Sequence, residues 1–239
     1  MSNKILLFQK IYANINQNRG GGKMTCKNDN ILNGKTVIFL GSSVTYGSGA
    51  KGVSFAEILE QEDGIISVKE AVSGTTLVDR DKASYVSRIK NIDKNIKADA
   101  FICQLSTNDA SRKLPVGEIS KSFDMADFDT KTVAGAIEYI ISYAKKTWNC
   151  PVIFYTGTKY DSVQYGEMVD LLLKIQKKWK IGVIDLWNSE EMNAVSAEDY
   201  KKYMKDVIHP NLDGYRTWWT PQFRKYLTEF FGEVKKNEN

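Results

Sequence analysis

Residues 36–43 read Thr-Val-Ile-Phe-Leu-Gly-Ser-Ser, a short run of β-branched and apolar residues closed by a glycine and two serines. A continuous apolar run of this length is typical of a strand that is buried on both faces, as in a parallel sheet. The glycine ends the run, so the two serines follow at the carboxyl end of the strand. The stretch therefore predicts a parallel strand that carries polar side chains to one edge of a sheet.

Strand-like and helix-like patterns alternate from this strand to the end of the chain. Further strands are predicted at residues 66–71, 100–105, 152–155 and 182–185. Helices are predicted from residue 55, with Ser54 as the N-cap, and at 133–148, 162–179 and 215–230. In the last of these, Pro221 should form a kink or lie in a first turn. This alternation predicts a single-domain, doubly wound α/β fold, in which a five-stranded parallel sheet has helices on both faces.

Composition and length restrict the classes of protein that this chain can belong to. Residues 33–239 are expected to form one domain, preceded by a flexible leader over residues 1–32 that is rich in Asn, Gly and Lys. The net charge of +4 is mild and the basic residues are scattered, so nucleic acid is not an expected partner. No apolar run approaches the ~20 residues of a membrane helix. Three cysteines without paired spacing suit a reducing compartment, and a cytoplasmic location is expected.

The chain contains a single histidine, His209, in the sequence Asp206-Val207-Ile208-His209-Pro210. An aspartate three residues before a histidine can accept a hydrogen bond from the ring Nδ1, which leaves Nε2 free to take a proton from a serine. The pattern favours His209 as a general base that Asp206 orients. A surface histidine in a turn before Pro210 is the alternative.

Polar segments also follow the first three predicted strands. They are Gly41-Ser42-Ser43, Ser73-Gly74-Thr75 and Ser106-Thr107-Asn108-Asp109. Ligands of such sheets bind at the carboxyl ends of the strands, so we expect these segments to meet the His209 segment at one edge.

Within these segments, Ser43 is the candidate nucleophile, which a neighbouring base would activate. The backbone N–H groups of Ser43 and Gly74 and the side-chain amide of Asn108 are candidate donors to an oxyanion. Each residue also has a structural interpretation, as a turn serine, a loop glycine or a helix cap.

These segments resemble the sequence blocks of the SGNH hydrolases, also called GDSL esterases and lipases. The matching residues are 40–45, 72–75, 106–109 and 206–210, within a similarity that spans residues 33–231. The resemblance implies the flavodoxin-like SGNH fold and a serine hydrolase that acts on ester bonds without a cofactor. It also implies Ser43, His209 and Asp206 as the catalytic triad, and an oxyanion hole formed by Ser43, Gly74 and Asn108.

This chain departs from the family pattern at two positions. The usual Asp before the nucleophile is Ser42 here, and the usual Gly before Thr107 is Ser106. Neither position supplies a residue of the triad, so the catalytic residues are expected to be retained, and the two changes bear on the geometry of the loops around the nucleophile.

The predicted function is hydrolysis of short acyl esters, above all acetyl esters on a carbohydrate or another small alcohol. Tyr46 and Trp218 lie beside the catalytic segments and could stack on a sugar ring, although packing is the alternative. One histidine and scattered cysteines give little support to a metal site. The expected partner is a small ester, no membrane is expected to be bound, and the oligomeric state is open.

Two other functions remain open from the sequence. The same triad could transfer the acyl group to a sugar hydroxyl, which would make the protein an acyltransferase. Residues 41–49 are rich in glycine and hydroxyl groups and also resemble the phosphate cradle of a flavodoxin-like protein. A non-hydrolytic module that binds flavin or phosphate is therefore the alternative from another class.

Overall fold

The structure, a computed structural model, describes residues 30–237, except for the side chains of Lys235 and Asn237. Its sheet has five strands: Thr36–Gly41 (β1), Ile66–Ala71 (β2), Ala100–Gln104 (β3), Val152–Tyr155 (β4) and Gly182–Ile184 (β5). The strands lie in the order β2-β1-β3-β4-β5, and each neighbouring pair is parallel. This is the flavodoxin-like order of a doubly wound sheet, so the predicted fold class is confirmed.

Helices alternate with the strands. They are Ser43–Tyr46 (α1), Phe55–Asp63 (α2), Tyr85–Arg88 (α3), Thr107–Ser111 (α4), Val133–Trp148 (α5), Val163–Trp179 (α6), Glu190–Asn193 (α7), Ala197–Tyr203 (α8), Leu212–Gly214 (α9) and Thr220–Asn237 (α10). Short 3-10 turns lie at Ser48–Ala50, Ile89–Asn91 and Met125–Asp127. The predicted N-cap of α2 is confirmed, because Ser54 and Glu57 form a reciprocal capping box there.

The C-terminal helical segment is interrupted before its proline. Tyr215–Trp219 form a π turn in which the N–H of Thr220 reaches the carbonyl of Tyr215. Pro221 is the second residue of α10, directly after this π turn, so the change of helix type falls at the proline, which has no N–H to donate. The prediction that Pro221 occupies a first turn is confirmed.

Both faces of the sheet are buried. Successive side chains of a strand point to opposite faces, so Ile38 and Phe39 of β1 belong to different clusters. The Ile38 cluster packs beneath α5 and α6, and the Phe39 cluster beneath α2 and α10. In the second cluster the rings of Phe55 and Phe223 stack with their centroids 3.9 Å apart. Burial on two faces explains why the sequence of β1 is apolar throughout.

The predicted leader, residues 1–32, lies outside the described residues except for its last three. Leu32 is fully buried in the Phe39 cluster, and Ile31 packs against the same cluster. Among residues 30–237, no helix is both long enough and apolar enough to cross a bilayer.

Candidate active site

The carboxyl ends of β1, β2 and β3 bring the predicted polar segments together. Ser43 begins α1 directly after β1, and Asn108 lies in α4 after β3. The side-chain amide of Asn108 donates to Oγ of Ser42 over 3.2 Å. The segment after β2 joins them through the carbonyl of Thr75, which accepts the amide of Asn108 over 3.0 Å and Oγ of Ser106 over 3.2 Å. Residues up to 66 positions apart in sequence are thus hydrogen-bonded at one edge of the sheet.

Ser43, His209 and Asp206 form a continuous hydrogen-bonded chain. Nε2 of His209 lies 2.7 Å from Oγ of Ser43. On the other side of the ring, Nδ1 lies 2.9 Å and 2.8 Å from the two carboxylate oxygens of Asp206. A carboxylate beside Nδ1 favours the tautomer with its proton there, so Nε2 presents a lone pair to the serine hydroxyl. The arrangement can take the proton of Ser43 as its oxygen attacks a carbonyl carbon.

Backbone donors keep Asp206 ionised. Its Oδ1 accepts hydrogen bonds from the N–H of Ile208 at 2.9 Å and from the N–H of His209 at 2.8 Å. Partial burial acts to raise the pKa of Asp206, but these bonds and the bond from the His209 ring outweigh it and hold the pKa below its usual value. Asp206 is therefore a carboxylate throughout the range in which an imidazole titrates.

The segment that carries His209 is held against the turn after α1. Met204 and Pro210 form an isolated antiparallel bridge, and the N–H of Lys205 donates to the carbonyl of His209 over 2.8 Å. A Cβ at Gly49 would overlap the carbonyl oxygen of Pro210, so only glycine permits this approach. Gly49 thereby lets the two segments meet at the distance that the Ser43–His209 contact needs. Sequence reasoning did not single out this glycine.

The three predicted oxyanion donors differ in what they already bind. Ser43 is the first residue of α1, so its N–H has no intrahelical partner. Gly74 is exposed, adopts a φ of +78°, and has its carbonyl held by Arg112 over 2.9 Å. The amide nitrogen of Asn108 donates to Thr75 over 3.0 Å and to Oγ of Ser42 over 3.2 Å. Both of these acceptors use the amide NH2 group, so Asn108 can donate to an oxyanion only by giving up one of the two bonds.

The two serines that depart from the family pattern are both buried and hydrogen-bonded. Ser106 caps α4 by accepting the N–H of Asn108 over 3.2 Å, and its hydroxyl donates to the carbonyl of Thr75 over 3.2 Å. Oγ of Ser42 lies between the amide of Asn108 and Oε1 of Gln104, 3.3 Å from the latter. Both hydroxyls therefore connect the segments around the nucleophile, which retain an ordered geometry without the usual Asp and Gly.

Residues 39–217 match the sequence profile of the GDSL-like Lipase/Acylhydrolase family. The chain belongs to this family. It is therefore an enzyme of the class that hydrolyses ester bonds, as its four sequence blocks predict. No curated protein matches the chain.

Solved structures share the fold of this GDSL-family enzyme. A protein from Lactobacillus plantarum is 20% identical, with a TM-score of 0.68 over 82% of this chain and 97% of its own. A member of the lipolytic G-D-S-L family from Veillonella parvula is 18% identical, with a TM-score of 0.57 over 81% and 97%. An acetyl xylan esterase is 14% identical, with a TM-score of 0.56 over 80% and 99%. At these identities the likeness establishes the fold alone.

Two buried charged residues of the GDSL-family enzyme fix the segment that carries Gly74. Arg88 is 5% exposed, and its Nη2 donates to the carbonyl of Gly41 over 2.8 Å and to Oγ1 of Thr75 over 3.0 Å. The carboxylate of Asp109 accepts the N–H groups of Leu77 and Val78, while burial raises its pKa. Sequence reasoning gave Arg88 no role and placed Asp109 only within the 106–109 segment, with a turn or helix cap as the structural interpretation. The four bonds described here join residues 13 to 47 positions apart, so no local pattern reveals them.

The two predicted substrate-binding aromatics have different surroundings. Tyr46 ends α1, is 44% exposed, and has Nζ of Lys69 5.5 Å from its ring centroid. Trp218 is half-buried, and its ring packs against those of Tyr200 and Tyr203, each 6.1 Å away. Substrate contact by either ring stays a prediction, and Tyr46 presents the more accessible surface.

Replacing Asn108 tests whether it donates to an oxyanion. We expect Asn108→Ala to lower kcat by ~100-fold or more with little change in KM, because the lost bond forms in the transition state. Asn108→Asp should be at least as damaging, since it places a carboxylate where negative charge develops. Steady-state kinetics give kcat and KM for both variants, and thermal melting gives the stability of their folds.

The matched control for Asn108 is Ser54→Ala, which removes the cap of α2. Loss of a helix cap lowers the stability of the fold by ~0.5–2 kcal/mol. This variant should therefore have a lower melting temperature than the wild type but keep its kcat. Wild-type kcat in Asn108→Asp would mean that Asn108 is structural, and that backbone N–H groups alone must stabilise the oxyanion.

Proposed function

We propose that this enzyme is a serine esterase that hydrolyses short acyl esters, acetyl esters above all, through an acyl-enzyme on Ser43. The proposal rests on the 2.7 Å contact between Nε2 of His209 and Oγ of Ser43. A serine hydroxyl is a poor nucleophile until a base removes its proton, and this contact provides a base at transfer distance.

The reaction then follows from the positions of the two groups. Oγ of Ser43 bonds to the acyl carbon while its proton passes to His209. The imidazolium gives that proton to the alcohol oxygen as the ester bond breaks. Water next attacks the acyl carbon while His209 takes its proton, and the imidazolium returns that proton to Oγ of Ser43 as the acyl–serine bond breaks and the carboxylic acid leaves. Asp206 stabilises the imidazolium in both halves of the reaction.

A narrow pocket beside Ser43 supports the choice of a short acyl group. Its walls include the sequence neighbours of the proposed catalytic residues, and it is lined by Val44, Gln104, Thr107, Tyr155, Gly157, Thr158, Tyr160, Val207 and Ile208. Its cavity volume is about 10 Å³, close to the space that one water molecule needs. Pockets for drug-sized ligands span ~300–1,000 Å³, so this one has room for a small acyl group at most and none for a long chain.

The exposed rim of the site supports a carbohydrate or another small alcohol as the remainder of the ester. Tyr46 offers an accessible ring one helical turn from Ser43, and aromatic faces can stack on sugar rings. One protein with this fold is an acetyl xylan esterase, which agrees with such a substrate.

A series of aryl esters from acetate to decanoate tests the acyl preference. We expect kcat/KM to be highest for acetate. It should fall as the acyl chain becomes too long for the pocket, by ~10–200-fold for each methylene that does not fit. Ser43→Ala measures the background hydrolysis of these activated esters. A maximum at octanoate or decanoate would contradict the short-acyl proposal.

The same assay with a sugar acceptor present separates hydrolysis from transfer. The free acid should remain the main product as the acceptor concentration rises. Acylated sugar as the main product would instead make the protein an acyltransferase that uses the same residues.

A further inference from the structure

One buried oxygen binds the residues on both sides of Ser43. Oε1 of Gln104, at the end of β3, accepts the N–H of Ser42 over 2.9 Å and the N–H of Thr45 over 3.3 Å. It also lies 2.9 Å from Oγ1 of Thr45 and 3.3 Å from Oγ of Ser42. Gln104 is 1% exposed, so solvent does not compete for these donors.

These bonds replace a cap that α1 lacks. Its N-cap residue, Ser42, makes no side-chain capping bond of its own. The acceptor for the N–H of Thr45 comes instead from Gln104, 59 positions away on the neighbouring strand. Because two of the donors are backbone N–H groups, the side-chain oxygen of Gln104 must face the turn and its amide nitrogen must face away.

The surroundings leave this oxygen little freedom to move. A Cβ at Gly41 would lie 2.9 Å from Oε1 of Gln104 and would overlap the side chain of Thr45, so the approach requires glycine. Oγ1 of Thr45 also lies 2.6 Å from the hydroxyl of Tyr155 on β4. The turn that carries Ser43 is therefore fixed to both β3 and β4.

We propose that Gln104 is a positioning residue that holds Ser43 within reach of His209 and keeps the N–H of Ser43 directed toward the reacting carbonyl. It acts through Ser42 and Thr45 and does not touch the reacting atoms. The inference rests on the proposed role of Ser43 as nucleophile. A residue of this kind sets kcat and leaves KM unchanged, because it aligns the attack and does not bind the substrate.

The test compares two substitutions of Gln104. Gln104→Met keeps the length of the side chain but removes the acceptor, and it should lower kcat by ~10–100-fold with KM within about twofold. Gln104→Glu keeps an acceptor for the same four donors and should restore kcat to within about tenfold of wild type. The rate of labelling of Ser43 by a fluorophosphonate should fall and recover in parallel with kcat.

Thr156→Val is the matched control for a loss of buried hydrogen bonds. The hydroxyl of Thr156 is fully buried just after β4, where it accepts the N–H of Trp187 over 2.9 Å and lies 3.2 Å from a carboxylate oxygen of Asp185. Its removal should lower Tm, as in Gln104→Met, yet leave kcat and the labelling rate unchanged.

The outcomes separate this inference from the proposed function. A folded Gln104→Met with wild-type kcat and labelling rate would overturn the inference while leaving Ser43 as nucleophile. Wild-type protein that is not labelled at Ser43 would overturn the proposed function itself. If Gln104→Met does not fold, Thr45→Val decides the matter, since it removes one of the four donors. An unchanged kcat in that variant overturns the inference, and a drop of ~3–10-fold at constant KM supports it.

Discussion

Ser43→Ala should lower the kcat for ester hydrolysis by about 10⁴–10⁶-fold and leave the melting temperature close to that of wild type. Oγ of Ser43 makes the hydrogen bond to Nε2 of His209, and alanine removes this atom without adding bulk at a residue that is 7% exposed. A fluorophosphonate should add once to the wild-type protein. Intact mass and peptide mapping should place that adduct on Ser43, and Ser43→Ala should stay unlabelled.

The matched control for this substitution is Ser48→Ala, in the turn that follows α1. Its hydroxyl bonds to the hydroxyl of Ser73, and the hydrogen bond of His209 goes to Ser43 instead. This variant should keep both its labelling and most of its activity. The proposal fails if the adduct lies on another residue and Ser43→Ala retains full activity.

Asp206→Asn should lower kcat by about 10³–10⁴-fold with little change in KM. An asparagine amide can donate to Nδ1 of His209, which favours the tautomer that carries its proton on Nε2. That tautomer cannot accept the proton of Ser43 from 2.7 Å away. Asp213→Asn removes an exposed carboxylate four residues beyond His209 and should leave kcat unchanged.

The pH dependence of wild-type kcat/KM provides an independent test of the same pair. Because the pKa of Asp206 is held below its usual value, the carboxylate stays ionised as pH falls through the range of imidazole titration. The loss of activity in acid should therefore report protonation of His209 alone, and the chain has no other histidine to complicate the assignment. Activity that stays constant from acid to neutral pH would contradict the role of His209 as base.

Much of the fold follows from local patterns. The apolar run that ends at Gly41, the periodicity of residues 133–148 and Ser54 as an N-cap each predict an element that the structure contains. Hydrophobic periodicity and capping depend on residues within a few positions of one another, which is why a single sequence reveals them. The pairing of Asp206 with His209 is equally local, since the two residues are three positions apart.

Contacts between distant segments could not be predicted in this way. Gln104 accepts hydrogen bonds from the turn of Ser43, from residues 59 and 62 positions away in the sequence. Arg88 donates a hydrogen bond to the carbonyl of Gly41, 47 positions away. Gly49 has no Cβ, which allows the backbone of Pro210 to approach it closely. In sequence each of these residues is ordinary, because a strand-end glutamine, a helical arginine and a turn glycine occur in most α/β proteins. The distance between Ser43 and His209 depends on how β1, β3 and the segment after α8 pack, and packing is a property of the folded chain.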